Sequence, residues 1–228
     1  MSEEKLENTL KWSRKDWVLL AVNIAIFAIL FVIFNRKLPD EVASHYNISG
    51  ELDRMMGKVA FWIMYGAIGI LLPSFLAALR KIDPRKQNYN KFAQSFYVIR
   101  FAISMFIHGI MLVIILDNLD YNLPIQNILL GGFGLLWIVI GNYMSQVRSN
   151  FFVGIKTPWA LSDERNWRLT HRFAARFMFI AGILMFASTW FVGQTFVVVM
   201  IILAGTLISS LSPVLYSYLV YRNSNTEA

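Results

Sequence analysis

Hydrophobic residues along this chain gather into six long runs that are separated by polar intervals. Each run is close to the length of about 20 apolar residues that an α-helix needs to cross the hydrocarbon core of a bilayer. The pattern therefore predicts an all-α fold, a polytopic membrane helix bundle with about six transmembrane helices. The predicted spans are Trp17–Phe34, Val59–Leu79, Phe96–Leu116, Ile125–Ser145, Phe173–Val192 and Thr195–Tyr218. Pro73 and Pro213 fall inside the second and sixth spans, where we expect them to kink the helices.

Composition favours a membrane protein over a large soluble domain. The chain is 57% hydrophobic and only 15% charged, with a mean hydropathy of +0.52, whereas soluble domains carry about 25% charged residues. The first apolar run begins at Trp17, is long enough to span and lacks a small-residue cleavage pattern, so we expect it to remain in the mature protein. The sequence has no cysteine, which excludes disulfides, thiol nucleophiles and thiolate metal ligands.

The net charge of +7 is unevenly distributed between the loops. Fifteen Lys and Arg residues lie in the N-terminal tail, the second and fourth loops and the C-terminal tail, whereas the first loop carries four and the third and fifth carry none. Because cytoplasmic loops are enriched in Lys and Arg, both termini are predicted to lie in the cytoplasm. The resulting segments are a cytoplasmic tail 1–16, an N-terminal membrane module 17–79 with an external loop 35–58, a cytoplasmic linker 80–95, a four-helix membrane region 96–220 with a cytoplasmic loop 146–172, and a C-terminal tail 221–228.

The external loop between the first two spans is polar and contains His45 among scattered carboxylates. A zinc hydrolase needs two histidines at helical spacing, and this loop has only one, so the signal for a metal site is weak. Gly50 and Gly57 are typical turn residues. We therefore favour a cap over the mouth of the bundle, without a metal.

The cytoplasmic loop is dense in basic residues, tryptophan and glycine. It lacks the Gly-Lys-Thr order of a phosphate-binding P-loop. Pro158 disfavours helix at the preceding residue, and Ser162 is the expected N-cap of a helix that continues into the fifth span. Along this helix Arg165, Arg168, Arg172 and Arg176 form one basic stripe, and Trp167, His171 and Ala174 lie on a different face. The stripe is typical of an anchor beside lipid phosphates and also of a docking surface for a partner or an anionic lipid, and these interpretations are compatible.

Four polar residues, Asn23, Arg100, Asn142 and Arg176, fall toward the cytoplasmic ends of predicted spans. Polar groups are costly inside a membrane, so we expect an intramembrane polar layer in which these side chains satisfy one another, with snorkelling of the arginines as the alternative. His108 lies near the middle of the third span without a carboxylate at that depth, which favours a packed, neutral histidine. No pattern of catalytic residues supports hydrolysis, so a binding, sensing or barrier-modulating protein is favoured over an enzyme.

Several groups of residues resemble the SdpI family of bacterial immunity proteins. One group is Gly141-Asn142 at the end of the predicted fourth span. The others, in the cytoplasmic loop, are Asn150-Phe-Phe-Val-Gly-Ile-Lys-Thr-Pro-Trp-Ala-Leu-Ser162 and Trp167-Arg-Leu-Thr-His-Arg172. Leu38-Pro39, His45-Tyr46-Asn47, Gly50, Asp53 and Lys58 resemble the small membrane module that often precedes this signature, and Asp83-Pro84, Asn88-Tyr89 and Lys91-Phe92 resemble the family's linker. Lys156 stands where the family pattern more often has Arg, which keeps the positive charge but loses bidentate geometry.

The resemblance implies protection of a bacterial cell against a secreted, membrane-active peptide toxin, and signalling in which the occupied protein sequesters a cytosolic repressor. The implied external toxin surface comprises His45, Asn47, Gly50 and Asp53. The implied cytoplasmic docking residues are Asn150, Gly154, Lys156, Thr157, Pro158, Trp159, Arg165, Trp167, Thr170, His171 and Arg172. The expected partners are the lipid bilayer, the toxin and the repressor, with no cofactor, no metal, no catalytic residue and no direct nucleic-acid contact.

Two alternatives from other functional classes stay open at this point. A small-solute or ion transporter would use the polar layer as its pathway, and flux would be lost on changing Arg100 or Asn142. A membrane hydrolase would lose activity on changing His108 or His171.

Overall fold

The computed structural model describes residues 11–46, 52–121, 123–190 and 195–226, which are mostly helical. The elements are α1 (Arg14–Phe34), β1 (Glu41–Tyr46), β2 (Leu52–Gly57), α2 (Lys58–Gly66), α3 (Leu72–Ile82), α4 (Ala93–Asp117), α5 (Ile125–Met144), α6 (Pro158–Ser162), α7 (Glu164–Ser188) and α8 (Thr195–Thr226). A π-helical turn, Ala67–Leu71, joins α2 to α3, and a 3₁₀ helix, Lys86–Phe92, leads into α4.

Six helical stretches of the described residues are long and apolar enough to cross a membrane, which confirms the predicted polytopic bundle. They are α1, the continuous α2–α3 stretch, α4 with its preceding 3₁₀ helix, α5, α7 and α8. As expected, α7 begins in the cytoplasmic loop and runs on into the fifth span. An even number of spans returns the chain to its starting side, and the distribution of Lys and Arg assigns that side to the cytoplasm.

The first span starts before its apolar run because of an N-terminal capping box. Asp16 N donates to Ser13 Oγ at 3.3 Å, and Ser13 N donates to Asp16 Oδ2 at 2.8 Å. Such reciprocal bonds satisfy N–H groups that a helix otherwise leaves without partners. The cap also fixes the carboxylate of Asp16 at the cytoplasmic entrance of the bundle.

The second span is irregular where Pro73 enters the helix. The π turn Ala67–Leu71 directly precedes α3, and Pro73 is one of the first residues of α3. Proline has no N–H, so a carbonyl one turn earlier loses its partner, and a local π adjustment is one way in which membrane helices accommodate this loss. The irregularity expected at Pro73 takes this form, and Pro213 lies inside α8.

The described residues of the external loop form a pair of β-strands, a β-hairpin. β1 and β2 pair antiparallel, beginning with Glu41 opposite Gly57. The hairpin is fixed to the external end of α4, because Asn118 Oδ1 accepts from Ala43 N at 2.7 Å and Asn118 Nδ2 donates to Ala43 O at 3.1 Å. The hairpin is thus attached to the bundle, and its strands were not predicted from the sequence.

Glycines allow α5 and α7 to pack with their backbones in contact. A Cβ atom at Gly141 would lie 2.6 Å from Phe179 N, and one at Gly182 would lie 2.6 Å from Ile138 N. Helices in a membrane gain little from the hydrophobic effect between them, so close packing at small residues is a main source of their association. This tightly packed pair holds the cytoplasmic loop that connects it.

Buried side chains of the described residues form three clusters, of which the third, between α7 and α8, contains Ala181, Met185, Val198 and Ile202. The cytoplasmic cluster contains Tyr89, Phe92, Phe96, Ile99, Met144, Val147, Ala160, Trp167, Ala174, Ala175 and Met178. The external cluster beneath the hairpin contains Leu30, Leu38, Val42, Phe61, Trp62, Tyr65, Met111, Ile114 and Ile115. The cytoplasmic cluster includes residues of the loop itself, so the loop is part of the folded core.

Candidate functional site

The cytoplasmic loop is folded around the side chain of Asn150, which is fully buried. Asn150 Nδ2 donates to Arg148 O and Val153 O, each at 2.8 Å, while its Oδ1 accepts from Phe152 N at 2.9 Å and Val153 N at 2.6 Å. The side-chain amide thus supplies hydrogen-bond partners to four backbone groups that have none within an irregular loop. Asn150 acts as the centre of the turn and presents no free polar atom to a ligand.

The linker before α4 is clamped onto this loop by Asp83. Its Oδ2 accepts from Tyr89 Oη at 3.0 Å and from Phe151 N at 2.9 Å, and its Oδ1 accepts from Arg85 N at 2.7 Å. Asn88 Nδ2 donates to the carbonyl of the loop residue Ser149 at 2.8 Å. The residues that resemble a family linker therefore join the start of α4 to the cytoplasmic loop.

Gly154 and His171 meet in a contact that only glycine permits. Gly154 has φ +112°, and a Cβ atom on it would lie 2.3 Å from His171 Nε2. That nitrogen accepts the backbone N–H of Ile155 at 3.0 Å, and His171 Nδ1 donates to Trp167 O at 2.8 Å. With one ring nitrogen accepting and the other donating, the imidazole is neutral and fully occupied.

Trp167 holds the imidazole of His171 in place. Its ring stacks on His171 with centroids 4.0 Å apart, and its Nε1 donates to Val147 O at 2.9 Å. Both side chains are almost completely buried. His171 and Trp167 therefore hold the loop against α7 through the backbone of Ile155 and Val147. Neither side chain is available for proton transfer to a substrate.

A second polar knot ties the loop to α7 and α8. Thr157 Oγ1 caps α6 by accepting from Ala160 N at 3.0 Å, and it also contacts Ser217 Oγ at 2.6 Å. Asn166 Oδ1 accepts from Ser217 Oγ at 2.8 Å and from Thr170 Oγ1 at 3.0 Å. Thr157 and Thr170 therefore have structural roles, which their positions in the sequence alone do not reveal.

The helix cap in this loop differs from the expected one. Ser162 is the last residue of α6, and its Oγ donates to Trp159 O at 3.1 Å. Asp163 is the N-cap of α7 and accepts from Arg165 N and Asn166 N, each at 2.9 Å. The prediction of Ser162 as N-cap was wrong by one residue, because the short helix α6 uses Ser162 before the chain turns.

The remaining loop candidates lie nearer the surface. Pro158 is at the first turn of α6, where a missing N–H costs little. Trp159 packs against Tyr218 and Tyr221 of α8, with ring centroids 5.1 Å and 6.2 Å apart. Lys156 is exposed, and its Nζ donates to a backbone carbonyl in the loop at 3.3 Å.

The basic stripe on α7 is exposed, as its spacing predicts, whereas the opposite face is buried. Arg165, Arg168, Arg172 and Arg176 are exposed, and Asn166, Trp167, Thr170, His171 and Ala174 are buried. Next to the stripe is a polar cavity of about 390 Å³, lined by Asn88, Lys91, Arg148, Ser149, Glu164, Trp167 and Arg168. The buried framework therefore presents a basic surface with a cavity at the cytoplasmic face.

The external candidates are only partly within the described residues. His45 Nδ1 lies 2.9 Å from Asp53 Oδ2 across the hairpin, and the two side chains are 62% and 53% exposed. Asn47 and Gly50 lie outside the described residues. His45 and Asp53 thus form an accessible polar pair on the outer face.

The predicted intramembrane polar layer is not assembled. Asn142 and Arg176 are exposed on α5 and α7, whereas Asn23 and Arg100 are buried. Arg100 and Asn23 instead bond to Asp16 and Ser104. The prediction that the four residues satisfy one another was therefore wrong.

Two separate buried groups replace that layer. Arg100 Nη1 donates to Asp16 Oδ1 at 2.6 Å, and Asn23 Oδ1 accepts from Ser104 Oγ at 2.6 Å. His108 is buried as expected, with Nε2 3.3 Å from Asn23 Oδ1 and Nδ1 2.7 Å from the hydroxyl of Tyr65. The spacing of Arg100, Ser104 and His108 at intervals of four on one helix face was a signal for this polar column.

Two segments of the chain are similar to known protein families. Residues 146–217 match the model of the SdpI/YfhL protein family, and residues 22–69 match a domain of unknown function, DUF1648. The immunity protein SdpI of Bacillus subtilis (strain 168) is 32% identical over 111 residues, which cover 49% of this chain and 53% of that relative. The chain thus spans about half the length of this curated relative. No solved structure matches.

Proposed function

We propose that this multi-pass membrane protein protects a bacterial cell from a secreted, membrane-active peptide toxin. The cytoplasmic loop and most of the last two spans match the model of the SdpI/YfhL protein family. The similar protein from Bacillus subtilis is named an immunity protein. The observation that carries the proposal is that the residues resembling the family signature are mostly buried and hydrogen-bonded to one another, and together they hold an exposed basic surface in place.

The external hairpin is the proposed site of toxin capture. The exposed pair of His45 and Asp53 offers hydrogen-bonding groups, and the hairpin stands above the buried aromatic cluster of the N-terminal module. A peptide that inserts into the outer leaflet would meet this surface first. Capture there would keep the toxin from the surrounding bilayer.

The basic stripe of α7 and the adjoining cavity are the proposed docking surface for a cytosolic repressor. The stripe contributes the exposed guanidinium groups of Arg165, Arg168 and Arg172, and the cavity adds Lys91 and Arg148. Arginine pairs well with carboxylates in bidentate geometry, so an acidic segment of the repressor is the expected contact. Aromatic contacts of Trp159 with α8 keep the edge of this surface in place.

One helix connects the two surfaces. Asn118, which follows the external end of α4, bonds to β1. Asn88, in the segment before the cytoplasmic end of α4, bonds to the cytoplasmic loop. A shift of the hairpin on toxin binding would therefore act on α4 and through it on the loop. The π turn beside α4 is a local irregularity of the kind found where helices adjust.

The primary test is survival of a toxin-sensitive bacterial strain that expresses the full chain, with an unrelated membrane protein at equal expression as control. The strain is challenged with a panel of secreted membrane-active peptides. We expect more survivors for at least one peptide, and unchanged killing by every peptide would refute the immunity proposal.

The toxin surface is tested with Asp53→Asn, matched to Glu41→Gln on the neighbouring strand. Both residues are exposed carboxylates of the hairpin, so neither substitution should disturb folding. We expect Asp53→Asn to reduce survival at unchanged protein level and Glu41→Gln to leave it unaltered. Equal survival for the two variants would count against capture at the His45–Asp53 pair.

The signalling part is tested through the gene neighbourhood. An adjacent gene for a toxin precursor or for a small winged-helix repressor would support it, and the encoded repressor is then the protein to co-purify. Arg165→Gln together with Arg172→Gln should weaken co-purification, whereas Arg36→Gln on the external side should not. Retained binding by the double variant would exclude the stripe as the docking surface.

The transporter alternative was based on a polar layer that the structure does not assemble. The polar column on α4 ends at His108 and Tyr65, next to the tightly packed external cluster. Both ring nitrogens of His171 are occupied, and those of His108 contact Tyr65 and Asn23. Nothing in the described part of the chain therefore favours transport or hydrolysis over binding.

A further inference from the structure

A second cavity lies at the cytoplasmic entrance of the bundle, away from the basic stripe and its cavity. It has a volume of about 290 Å³ and is formed by the first turns of α1, the end of α3 and the start of α4. Its charged lining residues are Lys11, Lys15, Asp16, Arg80 and Arg100. Among the described lining residues, Lys15 and the two arginines outnumber the one carboxylate, and Lys15 Nζ donates to the neutral side chain of Gln94 at 2.5 Å.

The carboxylate of Asp16 bonds to two arginines but carries only one negative charge. Asp16 Oδ1 accepts from Arg100 Nη1 at 2.6 Å, and Asp16 Oδ2 accepts from Arg80 Nη2 at 2.7 Å. Arg100 places a further donor, Nε, on Pro73 O at 3.1 Å. One negative charge between two buried guanidinium groups leaves a positive charge without an ion partner among the described residues.

Arg80 also has a donor without an acceptor. The residue is only 8% exposed, and its Nε is buried without a hydrogen-bond partner in the described part of the chain. Leaving a buried charged donor unsatisfied costs about 1–3 kcal/mol or more, so such atoms normally have an acceptor. An acidic oxygen in the cavity, reached by a small rotation of the guanidinium group, would supply one.

We propose that this cavity binds the phosphate group of an anionic ligand at the inner face of the membrane. Guanidinium groups present donors in a planar fork that matches phosphate oxygens, and buried arginines lose little freedom on binding. Lys15 is exposed at the entrance, where its Nζ lies 5.5 Å from the centroid of the Tyr97 ring. The first-turn backbone of α1 adds the positive end of a helix dipole to the same region.

The cavity lies at the depth that we expect for the headgroups of the inner leaflet. It lies where three spans enter the membrane on the side that the Lys and Arg distribution assigns to the cytoplasm. The inner leaflet carries a negative surface potential from anionic lipids, which favours cationic sites at this depth. A phospholipid headgroup and free phosphate share the chemistry that the site recognises, and experiment distinguishes them.

The test uses the full chain, purified in detergent, and follows its thermal unfolding. Phosphatidylglycerol is compared with phosphatidylcholine in mixed micelles, and inorganic phosphate is compared with chloride at equal ionic strength. Lys15→Gln is the informative variant, because Lys15 lines the cavity and is exposed. Arg14→Gln is the matched control, because it removes an adjacent exposed cation that does not line the cavity.

We expect phosphatidylglycerol to raise the unfolding midpoint of the wild type and of Arg14→Gln above the value in phosphatidylcholine. Lys15→Gln should lose most of that increase, and native mass spectrometry should show less bound phosphatidylglycerol. Stabilisation by inorganic phosphate as well would identify phosphate alone as sufficient, and stabilisation by the lipid only would identify a headgroup site; both support the proposal. Equal midpoints in all additives, or the same response of both variants, would overturn it. The outcome is independent of toxin protection.

Discussion

Replacing Gly154 with alanine should destabilise the protein more than any other change of one methyl group in the cytoplasmic loop. At φ +112° an L-residue is strained, and the new Cβ would lie 2.3 Å from His171 Nε2. The imidazole cannot simply withdraw, because it is stacked on Trp167 and bonded to its carbonyl. Relief therefore requires breaking the hydrogen bond from Ile155 N to His171.

The magnitude follows from these two contributions. A non-glycine residue in a sparsely populated backbone region costs about 1–3 kcal/mol. A buried backbone N–H left without its acceptor costs about 1–3 kcal/mol. Together they give about 2–6 kcal/mol, which is a large part of the stability of an ordinary domain.

The effect is measured by thermal unfolding of the purified protein in detergent, monitored as the loss of the monodisperse species. Gly109→Ala is the control, because a Cβ there meets no atom within 4 Å, and alanine is favoured over glycine in a helix by about 0.5–1 kcal/mol. Adding His171→Ala to Gly154→Ala removes the clashing ring, so the double variant should be less destabilised than the sum of the single ones. Strict additivity, or a wild-type midpoint for Gly154→Ala, would refute the account of this contact.

Three further predictions address other parts of the bundle. Asp16→Asn leaves the two arginines that it pairs with buried without a counter-charge, so it should cost about 3–5 kcal/mol; Asp40→Asn, whose side chain is 98% exposed, should be nearly neutral in the same unfolding assay. Gly182→Val would force α5 and α7 apart and should lower the unfolding midpoint strongly, whereas Gly109→Val should not; equal midpoints would contradict backbone packing at this helix crossing. Thr157→Ala removes the cap of α6 and should cost about 1–2 kcal/mol, seen as faster proteolysis of the cytoplasmic loop; unchanged cleavage would show that the cap is dispensable.

The external hairpin shows why some structure escaped prediction. Strands that pack on a core alternate between apolar and polar residues, but the side chains of β2 are almost all exposed. Its sequence therefore carries no period of two, and the strand is held by its backbone ladder to β1. The bond between Asn118 and Ala43 joins residues that are far apart in the chain, so it too has no local signal.

The cytoplasmic loop illustrates the opposite case. Its spacing predicted that the four arginines share one face of α7 and that Trp167, His171 and Ala174 lie on another, because helix periodicity depends only on local sequence. The burial of that second face follows from the packing of the loop and α8 against it. The roles of Thr157, Trp159 and His171 were not predictable, since each depends on a partner brought in by another segment. Their contacts with Ser217, Tyr218 and Ile155 exist only once α8 and the loop are packed against α7.

The sequence by itself determined the membrane class and the approximate spans, and it predicted the sidedness. The length of apolar runs and the placement of Lys and Arg are local properties of the chain that need no knowledge of tertiary contacts. A local run of residues also carries the resemblance to the SdpI family. Only the tertiary structure decided which polar groups satisfy one another. Arg100 pairs with Asp16 across 84 positions of the chain, rather than with Asn142 or Arg176, because a buried charge is stabilised by whichever partner packing brings within hydrogen-bond distance.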